Sequence, residues 1–131
     1  GNIGDSRAYH ITPEGIFQIS RDHSVVENMV AKGDLTPLEA RTHPNRNLIT
    51  RALGPDIHAK ADTFELPWHK DEFLLLCSDG LVNTVSDQEM LFEVLHDGDV
   101  NECLDHLLQI SLQRGAPDNI TAVLLLNEEG R

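Results

Sequence analysis

The sequence has few aromatic residues, little positive charge and no long apolar run. Aromatics make up 5% of the 131 residues, and 10 Lys and Arg face 22 Asp and Glu, for a net charge of −12. Nucleic acids and anionic lipids carry the same sign of charge, so both are poor partners for such a chain. The longest apolar runs, FLLLC and AVLLL, are too short to span a bilayer. The composition is that of a globular protein with neither a nucleic-acid nor a membrane partner.

Cysteine and several well-known site motifs are also scarce. Cys77 and Cys103 have no paired spacing and lie in apolar surroundings, which predicts reduced core residues of a cytoplasmic protein. The seven histidines show no HxxxH or HExxH spacing, which disfavours a zinc site. The absence of GxGxxG, a Walker loop and GxSxG disfavours nucleotide binding and serine hydrolase chemistry.

The first half of the chain predicts a hairpin and two short helices. Residues 3–11 and 16–20 alternate around the turn-forming TPEG, which is typical of a β-hairpin. Residues 24–33 begin with a capping box and end at a glycine, and residues 36–40 repeat the capping pattern with proline at the first helical position. We interpret these helices, with the RTHPNRN that follows, as a polar insertion between sheet elements.

The second half predicts strands and helices that alternate in groups, as in an α+β protein. Two helices are expected, one within residues 86–98 that begins with a capping box and one within 100–115 that ends at a glycine. Residues 48–54 could form a strand that ends at Gly54, residues 59–66 predict a half-exposed strand, and residues 71–77 and 118–127 predict buried strands.

Two acidic turns flank the two apolar strands. Asp79 follows FLLLCS, and Asp118 precedes ITAVLLL. If these strands pair antiparallel, the end of the first lies beside the start of the second. Both carboxylates would then lie at one rim of the sheet, where a cation would offset their repulsion. Asp-Gly and Asp-Asn are also ordinary turn pairs, so a purely structural role stays open.

Two further features have a functional and a structural interpretation. Asp5 lies in a strand-like segment that disfavours Asp, so it either faces a metal or places a charge on an edge strand. Arg41, Arg46 and Arg51 form a basic cluster that either contacts a phosphate or an acidic peptide or balances the surrounding acid.

Five stretches in this order resemble the metal-dependent PP2C-type Ser/Thr protein phosphatases. They are GNIGDSRAY, DHS, HPNRNLITRALG, LLLCSDGL and APDNITAVLL, and the HPxRNxITRALG form is similar to the bacterial branch. The resemblance implies an α-β-β-α sandwich of two antiparallel β-sheets flanked by helices. Residues 1–131 would form the C-terminal part of a single phosphatase domain, with a flap insertion at about 22–51.

The resemblance also assigns residues and cofactors. It implies that Asp79 and Asp118 bind Mn²⁺ or Mg²⁺ as a pair of ions, and that Asp5 holds a third, more weakly bound ion. No catalytic residue is implied beyond these ligands, and a metal-bound water would hydrolyse phosphoserine or phosphothreonine without a covalent intermediate. Substrate contacts are expected in the flap and fall on Arg41, His43, Arg46 and Arg51. The partners would be phosphoproteins, namely the proteins that a bacterial Ser/Thr kinase phosphorylates.

One family motif has no counterpart in these 131 residues. The family's DGxGGH loop, which carries a bridging metal aspartate, does not occur, and neither does its preceding phosphate-binding Arg motif. We therefore expect the isolated chain to be inactive and to self-associate through open strand edges. The alternative is a non-catalytic pseudophosphatase or regulatory interaction module.

Overall fold

The computed structural model describes residues 1–55, 57–115 and 119–129. Contacts within the chain group into two compact units. The loop-rich unit comprises Gly1–Ser6 and Ser20–Phe64, and the sheet unit comprises Arg7–Ile19 and Glu65–Arg131.

The sheet unit is built on one four-stranded antiparallel sheet of order β2-β1-β3-β4. Its strands are β1 (Arg7–Thr12), β2 (Gly15–Gln18), β3 (Phe73–Cys77) and β4 (Ala122–Leu126). Helices α3 (Asp79–Val82), α4 (Asp87–His96) and α5 (Val100–Gln113) belong to the same unit. The α+β class with an antiparallel sheet is thus confirmed. The second sheet implied by the resemblance does not occur among the described residues.

Apolar side chains on one face of the sheet pack against the helices. Leu75 of β3, Leu124 of β4, Met90 of α4 and Leu107 of α5 all belong to this core. The capping box between Ser86 and Glu89 begins α4, as the sequence predicts, and Asp99 caps α5. Both cysteines are free and buried, also as predicted.

The expectation that β3 and β4 are buried on both faces is wrong. Leu75 is fully buried, but its neighbour Leu76 is 43% exposed, and Val123 and Leu125 are 46% and 41% exposed. The reason is the two-residue period of a strand, which turns alternate side chains to the face opposite the helices. The sheet therefore has an outer apolar face, defined here by Leu76, Val123 and Leu125.

The loop-rich unit contains two short helices, α1 (Val25–Ala31) and α2 (Pro37–Thr42). Ser24 caps α1, and a complete capping box between Thr36 and Glu39 begins α2, as predicted. No helix within the described ranges has the length and apolar composition needed to cross a bilayer.

The predicted strands at 48–54 and 59–66 are wrong. Among the described residues these segments form isolated bridges in place of a ladder, including Ile49 with Ser24 and Asp62 with Asn2. The hairpin is also shorter than predicted, since the left-handed backbone of Gly4 (φ 102°) interrupts the segment before β1.

Candidate metal and phosphate site

Asp79 lies where the sheet meets α3. It is half-buried and is the first residue of α3, two residues after Cys77, the last residue of β3. Cys77 pairs with Ala122, so the end of β3 lies beside the start of β4, as the antiparallel expectation requires. Asp118 lies outside the described residues.

The backbone entering β4 packs directly against the residue after Asp79. A Cβ on Gly80 would collide with the carbonyl oxygen of Asn119 and lie 3.1 Å from its carbonyl carbon. Ser78 adds two hydrogen bonds, donating its N–H to the Thr121 carbonyl at 2.9 Å and accepting the Thr121 N–H on Oγ at 3.0 Å. The Asp-Gly turn and the segment that follows Asp118 are thus held together.

The described donors around Asp79 are a partial fit to a divalent cation. A half-buried carboxylate at a rigid turn is a suitable oxygen ligand for Mn²⁺ or Mg²⁺. Among the described residues, however, Asp79 belongs to no set of three His, Cys, Asp or Glu ligands with donor atoms within 4.8 Å of one another. Asp79 therefore supplies one ligand, and a complete site needs donors beyond those described.

Asp5 lies in the loop-rich unit, in a bend next to a buried hydrogen-bond network. The backbone N–H of Gly4 donates to the ring Nδ1 of His23 at 3.0 Å, and the backbone N–H of His23 donates to the Gly4 carbonyl at 2.8 Å. Because Nδ1 accepts, a neutral His23 carries its proton on Nε2, which lies 2.8 Å from Oδ2 of Asp62. His23, only 4% exposed, thus fixes the backbone of the Asp5 loop.

The same network engages Arg51. Its Nη1 donates to Oδ1 of Asp62 at 3.1 Å and to the Lys60 carbonyl at 3.1 Å. The hydrogen bond from His23, with help from Arg51, lowers the pKa of Asp62 below its usual range. Sequence reasoning missed the positioning role of His23, although the DHS motif contained the signal.

The other flap residues lie on α2 and in the segment that follows it. Arg41 is exposed on α2, and His43 ends that helix. Arg46 is half-buried and donates to the His43 carbonyl at 3.3 Å, while His43 accepts the Asn45 N–H on Nδ1 at 3.1 Å. Their substrate-binding role stays a prediction.

Known proteins match nearly the whole chain. It is 35% identical over 133 aligned residues to the serine/threonine phosphatase stp of Listeria monocytogenes, which covers 99% of this chain. The chain belongs to the bacterial PP2C-type serine/threonine phosphatase family. No family model matches it. The chain spans about half the length of the curated relative, 53% for the Listeria protein.

Solved phosphatase structures agree with the fold. The crystal structure of Stp1 from Staphylococcus aureus matches 97% of this chain and 50% of its own, with a TM-score of 0.90 and 41% identity. A catalytic domain of the phosphatase PstP, in complex with two manganese ions, matches 93% of this chain and 50% of its own, with a TM-score of 0.76 and 36% identity. The α+β prediction and the family resemblance are confirmed, and one of these relatives has been solved with manganese ions bound.

Proposed function

We propose that the chain is one part of a metal-dependent protein Ser/Thr phosphatase domain and supplies metal ligands to it. The observation that carries the proposal is the rigid turn at Asp79, within a chain that aligns with phosphatases over nearly its full length. In this proposal Asp79, Asp118 and Asp5 bind Mn²⁺ or Mg²⁺. When bound, the ions would supply a water of lowered pKa for attack on a phosphoserine or phosphothreonine ester.

The chain's own residues contribute fixed geometry. Gly80 admits the Asn119 backbone, so Asp79 has a defined position relative to the strand that follows Asp118. His23 and Asp62 hold the Gly4 backbone next to Asp5. Ligands held this way lose little conformational freedom when a cation binds, which favours binding.

We place substrate recognition in the flap at about 22–51, which falls wholly within the loop-rich unit. Arg41 is an exposed residue of α2, on the surface that an incoming phosphoprotein would meet. Arg46 and His43 contribute beside it. Arg51 already donates to Asp62 and Lys60, so its first role is to position the loop.

The 131 residues alone are expected to be inactive. They contain no DGxGGH loop, whose aspartate the family uses to bridge its ions. The test is manganese-dependent hydrolysis of a phosphoserine peptide by the chain alone and by the chain mixed with, or fused to, the complementary part of the Listeria phosphatase. We expect activity only in the combined sample. Activity of the chain alone would contradict the inactivity proposal, and an inactive but folded combined protein would favour the interaction-module alternative.

We also propose that the isolated chain self-associates. β2 and β4 are the edge strands of the described sheet, and the outer apolar face of Leu76, Val123 and Leu125 is exposed. Open edges and exposed apolar faces favour association between copies. Light scattering over a range of concentrations should show a rising average mass. A constant monomer mass would refute self-association without affecting the phosphatase proposal.

A further inference from the structure

Three potential metal ligands meet where α4 ends and α5 passes it. Glu93 lies on α4, one turn before Asp97, which is the C-cap residue directly after that helix. His106 lies on α5. Nδ1 of His106 lies 3.0 Å from Oδ2 of Asp97 and 3.4 Å from Oε2 of Glu93. One donor atom from each residue lies within 4.8 Å of the other two, a spacing that one ion can bridge.

The chemistry of this cluster differs from that of an ordinary acidic surface. It combines an imidazole nitrogen with two carboxylates, and divalent transition metals such as Zn²⁺ bind both types of donor. The side chains of Glu93 and Asp97 are only 19% and 14% exposed, so both carboxylates are partly desolvated.

A small cavity beside the same cluster is a second, independent feature. Asp97 lines a cavity of about 40 Å³, together with Cys103, which is 1% exposed and lies one turn before His106 on α5. The cavity also touches Gly98 and Val100. A cavity of this volume can admit water. Asp97 therefore borders both the three-ligand cluster and a space that a water can enter.

We propose that Glu93, Asp97 and Nδ1 of His106 form a binding site for a divalent transition metal of the Zn²⁺ class. The ion would join the end of α4 to the middle of α5. It uses none of the residues assigned to phosphatase chemistry, so it is independent of the proposed function. The competing explanation is a simple ion pair between protonated His106 and the two carboxylates.

The test is calorimetric titration of Zn²⁺ into the metal-free 131-residue chain carrying Asp79→Ala, which weakens the proposed phosphatase metal site. His106→Asn and Glu93→Gln are the disruptive variants in this background. His96→Asn is the matched control, because His96 is also exposed at the end of α4 but stacks on Phe92 outside the cluster. Far-ultraviolet circular dichroism confirms that each variant remains folded.

We expect one Zn²⁺ to bind per chain, and each disruptive variant to weaken binding at least about tenfold, since even outer-shell substitutions cost roughly 10–100-fold. His96→Asn should leave the affinity unchanged. Co²⁺ should give visible absorption that His106→Asn removes. Absence of Zn²⁺ binding, or binding that folded His106→Asn and Glu93→Gln proteins both retain, would overturn the proposal.

Discussion

The two units of the chain are stabilised in different ways. The sheet unit has a continuous apolar core of strands and helices, centred on residues such as Tyr9, Leu75 and Met90. In the loop-rich unit Val26 is the buried apolar side chain among the described residues, while Leu53 is 76% exposed. Helix caps and the hydrogen bonds around His23 also stabilise this unit. Packing therefore specifies one unit, and a few hydrogen bonds specify the other.

This difference has a functional consequence. A packed sheet can hold Asp79 at a fixed rim, which suits a metal ligand. A segment with little core can change its surface at low energetic cost, which suits a flap that meets different phosphoproteins. In our proposal the sheet unit thus holds Asp79, and the loop-rich unit carries the substrate-recognition flap together with Asp5, the ligand assigned to the more weakly bound ion.

The largest expected effect comes from the core of the sheet unit. Leu75→Ala should lower the free energy of unfolding by about 2–5 kcal/mol, because it leaves a cavity at a fully buried position. The matched variant Leu53→Ala should change it by less than about 0.5 kcal/mol. Urea unfolding measures both. Equal effects of the two variants would contradict the contrast between the units.

Gly80 is expected to give the next largest effect. Gly80→Ala should lower the free energy of unfolding by about 1–3 kcal/mol, because the added Cβ collides with the Asn119 backbone and the neighbouring residues must shift. Gly98→Ala is the control, since an added Cβ there meets nothing within 4 Å. Thermal unfolding compares the two. If Gly80→Ala is as stable as Gly98→Ala, the turn at Asp79 is not held as tightly as we describe.

His23 should matter mainly to the loop-rich unit. His23→Ala leaves the Gly4 N–H without its acceptor, at a cost of about 1–3 kcal/mol. Hydrogen exchange should accelerate at Gly4 and at Asp62, which bonds to Asn2, but not in β3. Equal acceleration in β3 would mean that the network supports the whole chain.

The pH dependence of the same network has a defined sign. The folded pKa of Asp62 is lowered, so the charged carboxylate stabilises the folded state. This contribution to the free energy of unfolding is fully present above the ordinary Asp pKa. It should be lost as the pH falls from that value through the folded pKa. The protection factor of the Asn2 amide, in which the pH dependence of intrinsic exchange is divided out, should therefore fall on acidification in the native chain, and less so in Asp62→Asn.

Local signals were enough to predict the helices and the two central strands. The capping boxes at Thr36 and Ser86 and the apolar run before Asp79 each act within a few residues, so the sequence displays them directly. The segments 48–54 and 59–66 show strand-like composition, but a strand needs a partner, and their partners are isolated residues. Pairing depends on tertiary contacts, which composition does not encode.

The candidate site was only partly accessible from the sequence. The juxtaposition of Asp79 with the start of β4 follows from antiparallel pairing and could be predicted. The His23–Asp62 network joins residues 39 positions apart, and no periodic pattern marks such a pair. The cluster of Glu93, Asp97 and His106 likewise depends on how α4 and α5 pack, so motif spacing missed it.

The central claim is that Asp79 is a metal ligand of a phosphatase, and manganese-dependent hydrolysis by the recombined protein tests it most directly. Asp79→Ala is compared with Asp105→Ala, which removes the same charge from an exposed position on α5. We expect Asp79→Ala to lower activity at least about a hundredfold, the upper range for outer-shell changes. Asp105→Ala should leave it unchanged. Equal activity of the two folded variants would contradict the account.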